Sequence, residues 1–270
     1  MFSTWKVFVV AILLQFFLTH WVSAKTVVFV QGYQSNGSEW RSEGIIPLLV
    51  TAGWKDGGHL VNGPNGVDVR PPFVGDAKLG TLYTVALPTE APLMIQLRYL
   101  QRYIANVTNH HQNEHLYLVG HSAGGVLARL FMVKNRAKSS NQKIAGLITI
   151  SAPHLGSEAS EMGLAISQSP MGMMLPFMGA DSINRSQELF YDLSPERNGN
   201  LLFWLNRQPH PPSKYVSVIR RDDDFFVTPF SQDMNRVSAL RGKAKVFFAP
   251  GGHSLEATDA PIILQLLGTM

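Results

Sequence analysis

The chain has 270 residues, 45% of them hydrophobic and 16% charged, enough for one large domain of α/β type with a substantial core. Its formal net charge of +4 includes no basic run, which argues against nucleic acid as a partner. With no cysteine, the chain can form no disulfide, no thiolate metal site and no cysteine nucleophile.

The first segment has the layout of an export signal. Lys6 supplies a short positive region, Val7 to Leu18 is almost wholly apolar, and Val22-Ser23-Ala24 offers small residues before Lys25. The apolar run is interrupted at Gln15 and is short for a membrane span of about 20 residues. Cleavage is predicted after Ala24, giving a secreted or periplasmic protein whose fold occupies 25–270.

Lys25 to Val30 is a β-branched run predicting a buried strand that opens into a loop at Gln31-Gly32-Tyr33. Ser38 to Ala52 predicts a helix capped by Ser38 and weakened by Gly44 and Pro47. Residues 55–80 are dense in Gly, Pro, Asn and Asp without a period, and read as an irregular surface excursion. Within them Gly63-Pro64-Asn65-Gly66 is a turn. Thr81 to Leu87 predicts the next strand. Thr89 and Pro92 then start a helix with the stripe Leu93, Leu97, Leu100 and Ile104. His110, His111, Glu114 and His115 follow without the His-Glu-x-x-His order of a zinc helix, and read as a solvated connection.

Leu116-Tyr117-Leu118-Val119 is apolar without alternation, as in a strand buried on both faces of a parallel sheet. It runs into Gly120-His121-Ser122-Ala123-Gly124, and a helical stripe follows at Ala123, Val126, Leu127, Leu130 and Phe131. Strand, sharp turn and helix are the setting in which Gly-x-Ser-x-Gly becomes a nucleophile elbow. Lys143 to Ile150 is another apolar strand, ending at Ser151-Ala152-Pro153-His154. From about 157 to 213 the alternation of strand and helix stops. This insertion holds Met162, Met171, Met173, Met174 and Met178, and either packs onto the core or forms a lid, with Met171, Met174 and Phe177 as candidates to touch substrate. Tyr215 to Ile219 and Lys245 to Ala249 are the last strands. Asp222-Asp223-Asp224 follows the first of them and Gly251-Gly252-His253 the second, before a closing helix opened by Thr258 or Asp259 with Pro261.

In a mostly parallel sheet, ligands gather beyond the carboxyl ends of the strands. Ser122, the Asp222–Asp224 cluster and His253 all fall just past such ends, in the order serine, acid, histidine. A serine hydroxyl is a poor nucleophile until an imidazole takes its proton, and a carboxylate must hold that imidazole in the right tautomer. The oxyanion then needs fixed donors, for which the N–H groups of Ala123 and Tyr33 are the candidates.

Over 25–270 the chain resembles an α/β-hydrolase of the bacterial lipase and esterase type. Gly120-His121-Ser122-Ala123-Gly124-Gly125 resembles the lipase elbow, and Ser151-Ala152-Pro153-His154-Leu155-Gly156-Ser157 the segment after the next strand. Asp192-Leu193-Ser194-Pro195 resembles the end of the lid region, and Asp224-Phe225-Phe226-Val227-Thr228-Pro229 the acid loop. The resemblance implies an α/β-hydrolase fold, with a mostly parallel sheet, helices on both faces and a cap or lid insertion. It also implies a triad of Ser122, Asp224 and His253, with Asp223 the nearest alternative acid. One departure is Gln31-Gly32 where the family usually has His-Gly, so the hydrogen bonds supporting that loop must differ. The expected activity is hydrolysis of apolar acyl esters. Thioesterase, amidase or acyltransferase chemistry on the same triad, or a non-catalytic binding protein, are the alternatives. No cofactor is expected; the resemblance leaves calcium at the three adjacent acids as an alternative, and the ligands for its shell of six to eight oxygens cannot be counted in the sequence. The expected partner is a small-molecule or lipid ester, with transient contact at a lipid surface and no protein partner.

Overall fold

A computed structural model of the chain describes residues 24–112, 114–136, 144–221 and 224–270. The predicted leader, apart from Ala24, and Asp222 and Asp223 lie outside them. Eight strands form one sheet: β1 (Lys25–Val30), β2 (Trp54–Gly63), β3 (Gly66–Arg70), β4 (Gly80–Val85), β5 (His115–His121), β6 (Ile144–Ile150), β7 (Lys214–Arg220) and β8 (Ala244–Ala249). Their spatial order is β3-β2-β4-β1-β5-β6-β7-β8, parallel throughout except for the β2–β3 pair.

Period-2 burial on both faces explains the unalternating apolar runs. Val28, Val30, Leu116 and Leu118 point into one core, Val27, Phe29, Tyr117 and Val119 into the other. The first core is closed by α3 (Leu93–His110) and α4 (Ala123–Asn135), through Leu93, Leu97, Leu100, Val126, Leu127 and Leu130. The second is closed by α1 (Glu39–Ser42), α2 (Ile45–Thr51) and the closing helix Asp259–Thr269, through Trp40, Ile46, Leu49, Ile263 and Leu267.

Two expectations fail. The helix predicted over Ser38 to Ala52 is two short helices, broken where Gly44 takes φ +81°, and the Ser38 side chain makes no capping bond. Residues 55–80 are no irregular excursion: most of their first half is the β2–β3 hairpin at the sheet edge, closed by the expected turn with Gly63 paired to Gly66. Its periodicity is hidden for physical reasons. The register shifts between Asp56 and His59, where Gly57 and Gly58 interrupt the strand. Asp56 is buried in the strand because Arg41 clamps its carboxylate with two bonds of 2.7 and 2.8 Å. β3 itself is an almost wholly exposed edge and carries little apolar pattern to read.

The insertion is a set of short helices: α5 (Glu158–Ser167), α6 (Pro170–Met174), a 3-10 turn (Leu175–Met178), α7 (Ser182–Arg185), α8 (Gln187–Leu193) and α9 (Leu201–Leu205). It is tied to the body by Asp192, whose carboxylate accepts the Leu93 N–H (2.8 Å) at the amino end of α3. Burial pushes the Asp192 carboxyl up to about 6, against the lowering effect of that bond. Among the described residues no helix is long and apolar enough to cross a membrane.

Candidate active site

Neighbouring strands end together: Val30 pairs with Gly120, His121 with Ile150, and Arg220 with Ala249. The loops that follow therefore meet along one rim of the sheet. Ser122 stands between β5 and α4 with φ +51° and ψ −127°, a conformation rarely adopted by a residue with a side chain. Its N–H donates to the Ile150 carbonyl (2.9 Å), and the glycines let the chain turn this sharply. A Cβ on Gly124 would lie 2.3 Å from the Gln31 carbonyl oxygen, so α4 approaches β1 only because that atom is missing. Gly32 also passes close to the serine, since a Cβ there would sit 2.9 Å from Ser122 Cβ.

Across the rim, His253 Nε2 is 2.9 Å from Ser122 Oγ, and His253 Nδ1 is 2.8 and 3.0 Å from the two Asp224 oxygens. Asp224 has a fully buried side chain that also accepts from the N–H of Phe226 (3.0 Å) and Val227 (2.9 Å) and from Gln232 Nε2 (3.1 Å). Burial alone would raise its pKa. The hydrogen bond and charge of His253, with the two N–H groups, outweigh burial and hold the carboxyl below its ordinary value. An anionic Asp224 fixes the proton of His253 on Nδ1 and leaves Nε2 as an acceptor facing the serine hydroxyl.

Gln232 belongs to no motif that the sequence displays. Its amide bonds Asp224, the Val227 carbonyl (2.7 Å) and, through Oε1, the Arg220 N–H (2.8 Å), stapling the acid loop to β7. The only local signal is the Thr228-Pro229 start of the short helix Pro229–Gln232, where Thr228 accepts from the Ser231 N–H. The arginines beside the acid cluster are engaged elsewhere. Arg220 forms a buried pair with Asp259 (2.5 Å) and donates to the Pro250 carbonyl, while the Arg221 guanidinium lies 3.7 Å from the Phe248 ring centroid.

A cavity of about 750 Å3 opens over Ser122, with Gly32, Tyr33, Ala123 and His253 in its wall. Ala123 is the first residue of α4, so its N–H has no acceptor within the helix and lies beside the serine. The Tyr33 ring packs edge-on against Phe190 at 5.3 Å, and its hydroxyl accepts from Ser186 Oγ (3.2 Å), joining the loop after β1 to the insertion. The Gln31 amide is buried and finds no hydrogen-bond partner among the described residues. The loop is held instead by Thr89 Oγ1 donating to the Ser35 carbonyl (3.1 Å) and Gln34 to Ser182 (3.1 Å).

The insertion does form part of the cavity wall, but through other residues than those expected. Ala159, Ser160, Leu189, Phe190 and Leu193 line it. Met171, Met174 and Phe177 do not: they face outward, 60%, 56% and 85% exposed. Helical phase within the short α6 and the following turn decides this, and composition carries no phase. The predicted solvated connection near His111 is also a bonded one, with His111 between Glu114 (2.9 Å) and the Tyr83 hydroxyl (2.9 Å). Among the described residues no group of three or more His, Asp or Glu is arranged to hold a metal.

A family profile described as "PGAP1-like alpha/beta domain" matches residues 90–164, which include β5, the Ser122 turn and α4. Among solved structures, the chain is similar to the lipase BlEst2 of Bacillus licheniformis in mature form (TM-score 0.60, 15% identity, 91% of this chain and 92% of that one). It is also similar to the RedJ thioesterase of the prodiginine biosynthetic pathway in Streptomyces coelicolor (TM-score 0.50, 17% identity, 92% and 90%). The metagenomic carboxyl esterase MGS0156 is a third (TM-score 0.52, 12% identity, 86% and 65%). No curated protein sequence is detectably similar to this chain. The sheet order, the serine turn and these structural likenesses define the chain as one with the α/β-hydrolase fold.

Proposed function

We propose that the protein is an exported serine hydrolase that cleaves carboxylic esters of apolar acyl groups. The observation that carries this reading is the continuous relay Ser122 Oγ–His253–Asp224 on the wall of an accessible cavity. Ser122 attacks the ester carbonyl as its proton passes to His253 Nε2, and Asp224 stabilises the imidazolium. The N–H groups of Ala123 and Tyr33 receive the oxyanion. His253 then protonates the leaving alcohol, and water, deprotonated by the same imidazole, releases the acid from the serine. Asp224, not Asp223, is the orienting acid in this reading.

The cavity fits an amphiphilic substrate. Leu189, Phe190, Leu193 and Leu255 supply an apolar portion, and Gln34, Ser35, Glu39 and Glu43 a polar one. Outside it, Met171, Met173, Met174, Phe177 and Met178 present exposed apolar area on one stretch of the insertion, which supports transient contact with a lipid surface. The likeness to a thioesterase favours one second reading, the same acyl-serine chemistry with a thiol leaving group. No cofactor is required by either.

The test is turnover of p-nitrophenyl esters of increasing acyl length by the chain lacking 1–24, beside a matched thioester and amide. Loss of about 10,000-fold or more in kcat for Ser122→Ala is expected. Full activity in that variant refutes the reading, and a thioester preferred over the ester by tenfold or more replaces it with the second. Export is tested separately by amino-terminal sequencing of the protein recovered outside the cytoplasm, expected to begin at Lys25.

A further inference from the structure

We propose that His121, the residue immediately before Ser122, is a positioning residue that holds the main chain of His253 against the strand bearing the nucleophile. The inference rests on the serine-hydrolase reading and adds a residue to it. His253 lies in a segment between β8 and the closing helix with no regular element beyond a single bridge residue at Gly252, directly after Gly251-Gly252, with Gly251 at φ +91°. Backbone of this kind has many conformations open to it. A relay that requires Nε2 to stay near 2.9 Å from Ser122 Oγ needs something to choose among them.

His121 supplies that choice. Its Nε2–H donates to the His253 carbonyl oxygen over 2.7 Å. It is itself the last residue of β5, in register with Ile150 of β6, so the anchor is part of the sheet. The ring of His121 meets buried Trp40 edge-on at 6.4 Å on one side and lies 5.2 Å from the His253 ring on the other. Phe226 sits 5.2 Å from His253 as well, so the catalytic imidazole has two aromatic neighbours while the carbonyl of its own residue is bonded by one of them. Asp224 fixes the side chain of His253, and His121 fixes the backbone that carries it.

The charge state suits the role. Burial, then the proximity of His253, push the His121 pKa down to about 4; Arg220 lowers it further, while the bond to the His253 carbonyl and the Asp224 charge oppose this. At neutral pH His121 is therefore uncharged. It donates from Nε2 without adding a positive charge beside the imidazolium that forms on His253 during catalysis.

Three variants test this: His121→Leu, without donor or ring; His121→Phe, with a ring between Trp40 and His253 but no donor; and His121→Gln, with an N–H donor of similar reach. Leu and Phe are expected to lose about 10- to 100-fold in kcat with KM within about twofold, as displacement of a reacting group by a fraction of an ångström does. Their acid limb of kcat/KM against pH should shift, and the low-field proton resonance of the His253–Asp224 bond should broaden. Gln is expected to keep most of kcat and the sharp resonance. A His121→Phe protein with wild-type kcat and resonance overturns the proposal. So does a folded His121→Gln protein that falls as far as Phe, since an N–H donor restored at this position then fails to restore the relay. A wild-type protein that turns over neither ester nor thioester removes the serine-hydrolase reading itself, and the inference with it.

Discussion

The floor and the roof of the cavity are built on opposite principles. The floor is β5, the Ser122 turn and α4, where Val126, Leu127, Ala128 and Leu130 are wholly buried and glycines allow backbone to touch backbone. The roof is a run of short helices from α5 to α9 that turns Leu189 and Phe190 inward and leaves Met171, Met173 and Phe177 in solvent. In the floor, position is set by steric exclusion, and an added methyl has nowhere to go. In the roof, position is set by a few ties, such as Asp192 to Leu93 and Ser186 to Tyr33, between elements too short to be stable alone. Chemistry that tolerates errors of tenths of an ångström belongs on the first kind of structure, and selection among acyl groups on the second.

The contrast can be broken in several places. The largest effect is expected on the floor's rim: Asp224→Asn should lower kcat by about 10,000-fold by allowing His253 the wrong tautomer, while Asp223→Asn should change it little. Steady-state kinetics on the two variants side by side would show whether the acid has been placed correctly. Next comes Gly124→Ala, expected to cost about 3 kcal/mol or more, because the new methyl would meet the Gln31 and Val30 carbonyl oxygens at 2.3 and 2.4 Å. Urea denaturation would register this as a lower midpoint, and an unchanged midpoint would mean that the close approach of α4 to β1 is wrong.

A smaller and pH-dependent effect is expected where roof meets body. The Asp192 carboxyl is raised from 3.8 to about 6 in the folded protein. The folded state thus keeps this proton where the unfolded chain has lost it. Its contribution to stability is fully present below pH 4 and is lost as the pH rises through 6. Because Asp192 is only partly buried, the difference is discounted to about 2 kcal/mol. Denaturation of wild type and Asp192→Asn at pH 4.5 and 7 isolates it: wild type should gain relative to the variant at the lower pH. Smallest of all, for a dissolved short-chain ester, should be the effect of Met171→Ser, Met174→Ser and Phe177→Ser combined, within about twofold, since none of the three lines the cavity. On an emulsified long-chain ester the same protein should lose far more, and equal losses on both substrates would place those residues in the pocket after all.

What the sequence disclosed follows the same division. The β5–Ser122–α4 unit is local, and its glycines, its doubly buried strand and its helical stripe each leave a mark within twenty residues. The order of Ser122, Asp224 and His253 was legible because each follows a recognisable strand, so that sheet topology did the work of bringing them together. The β2–β3 hairpin was not, since an exposed edge and a bulge at Gly57-Gly58 erase the alternation that marks a strand. Gln232 and the tie made by Asp192 left no mark because each role depends on a partner distant in the chain or in another element: Gln232 braces Asp224 and β7 from the far side of the acid loop, and Asp192 meets Leu93 from a different helix. Met171, Met174 and Phe177 were misassigned to the pocket for want of helical phase, which the five-residue α6 and the four-residue 3-10 turn after it do not express.

The most direct measurement is reaction of the intact protein with a fluorophosphonate, followed by mass analysis of its peptides. The account predicts one equivalent of adduct on the peptide containing Ser122, formed rapidly at neutral pH, slowed by orders of magnitude in His253→Ala and absent in Ser122→Ala. A folded protein that takes up no label, or takes it up at the same rate without His253, would contradict the claim that these three side chains make the serine a nucleophile.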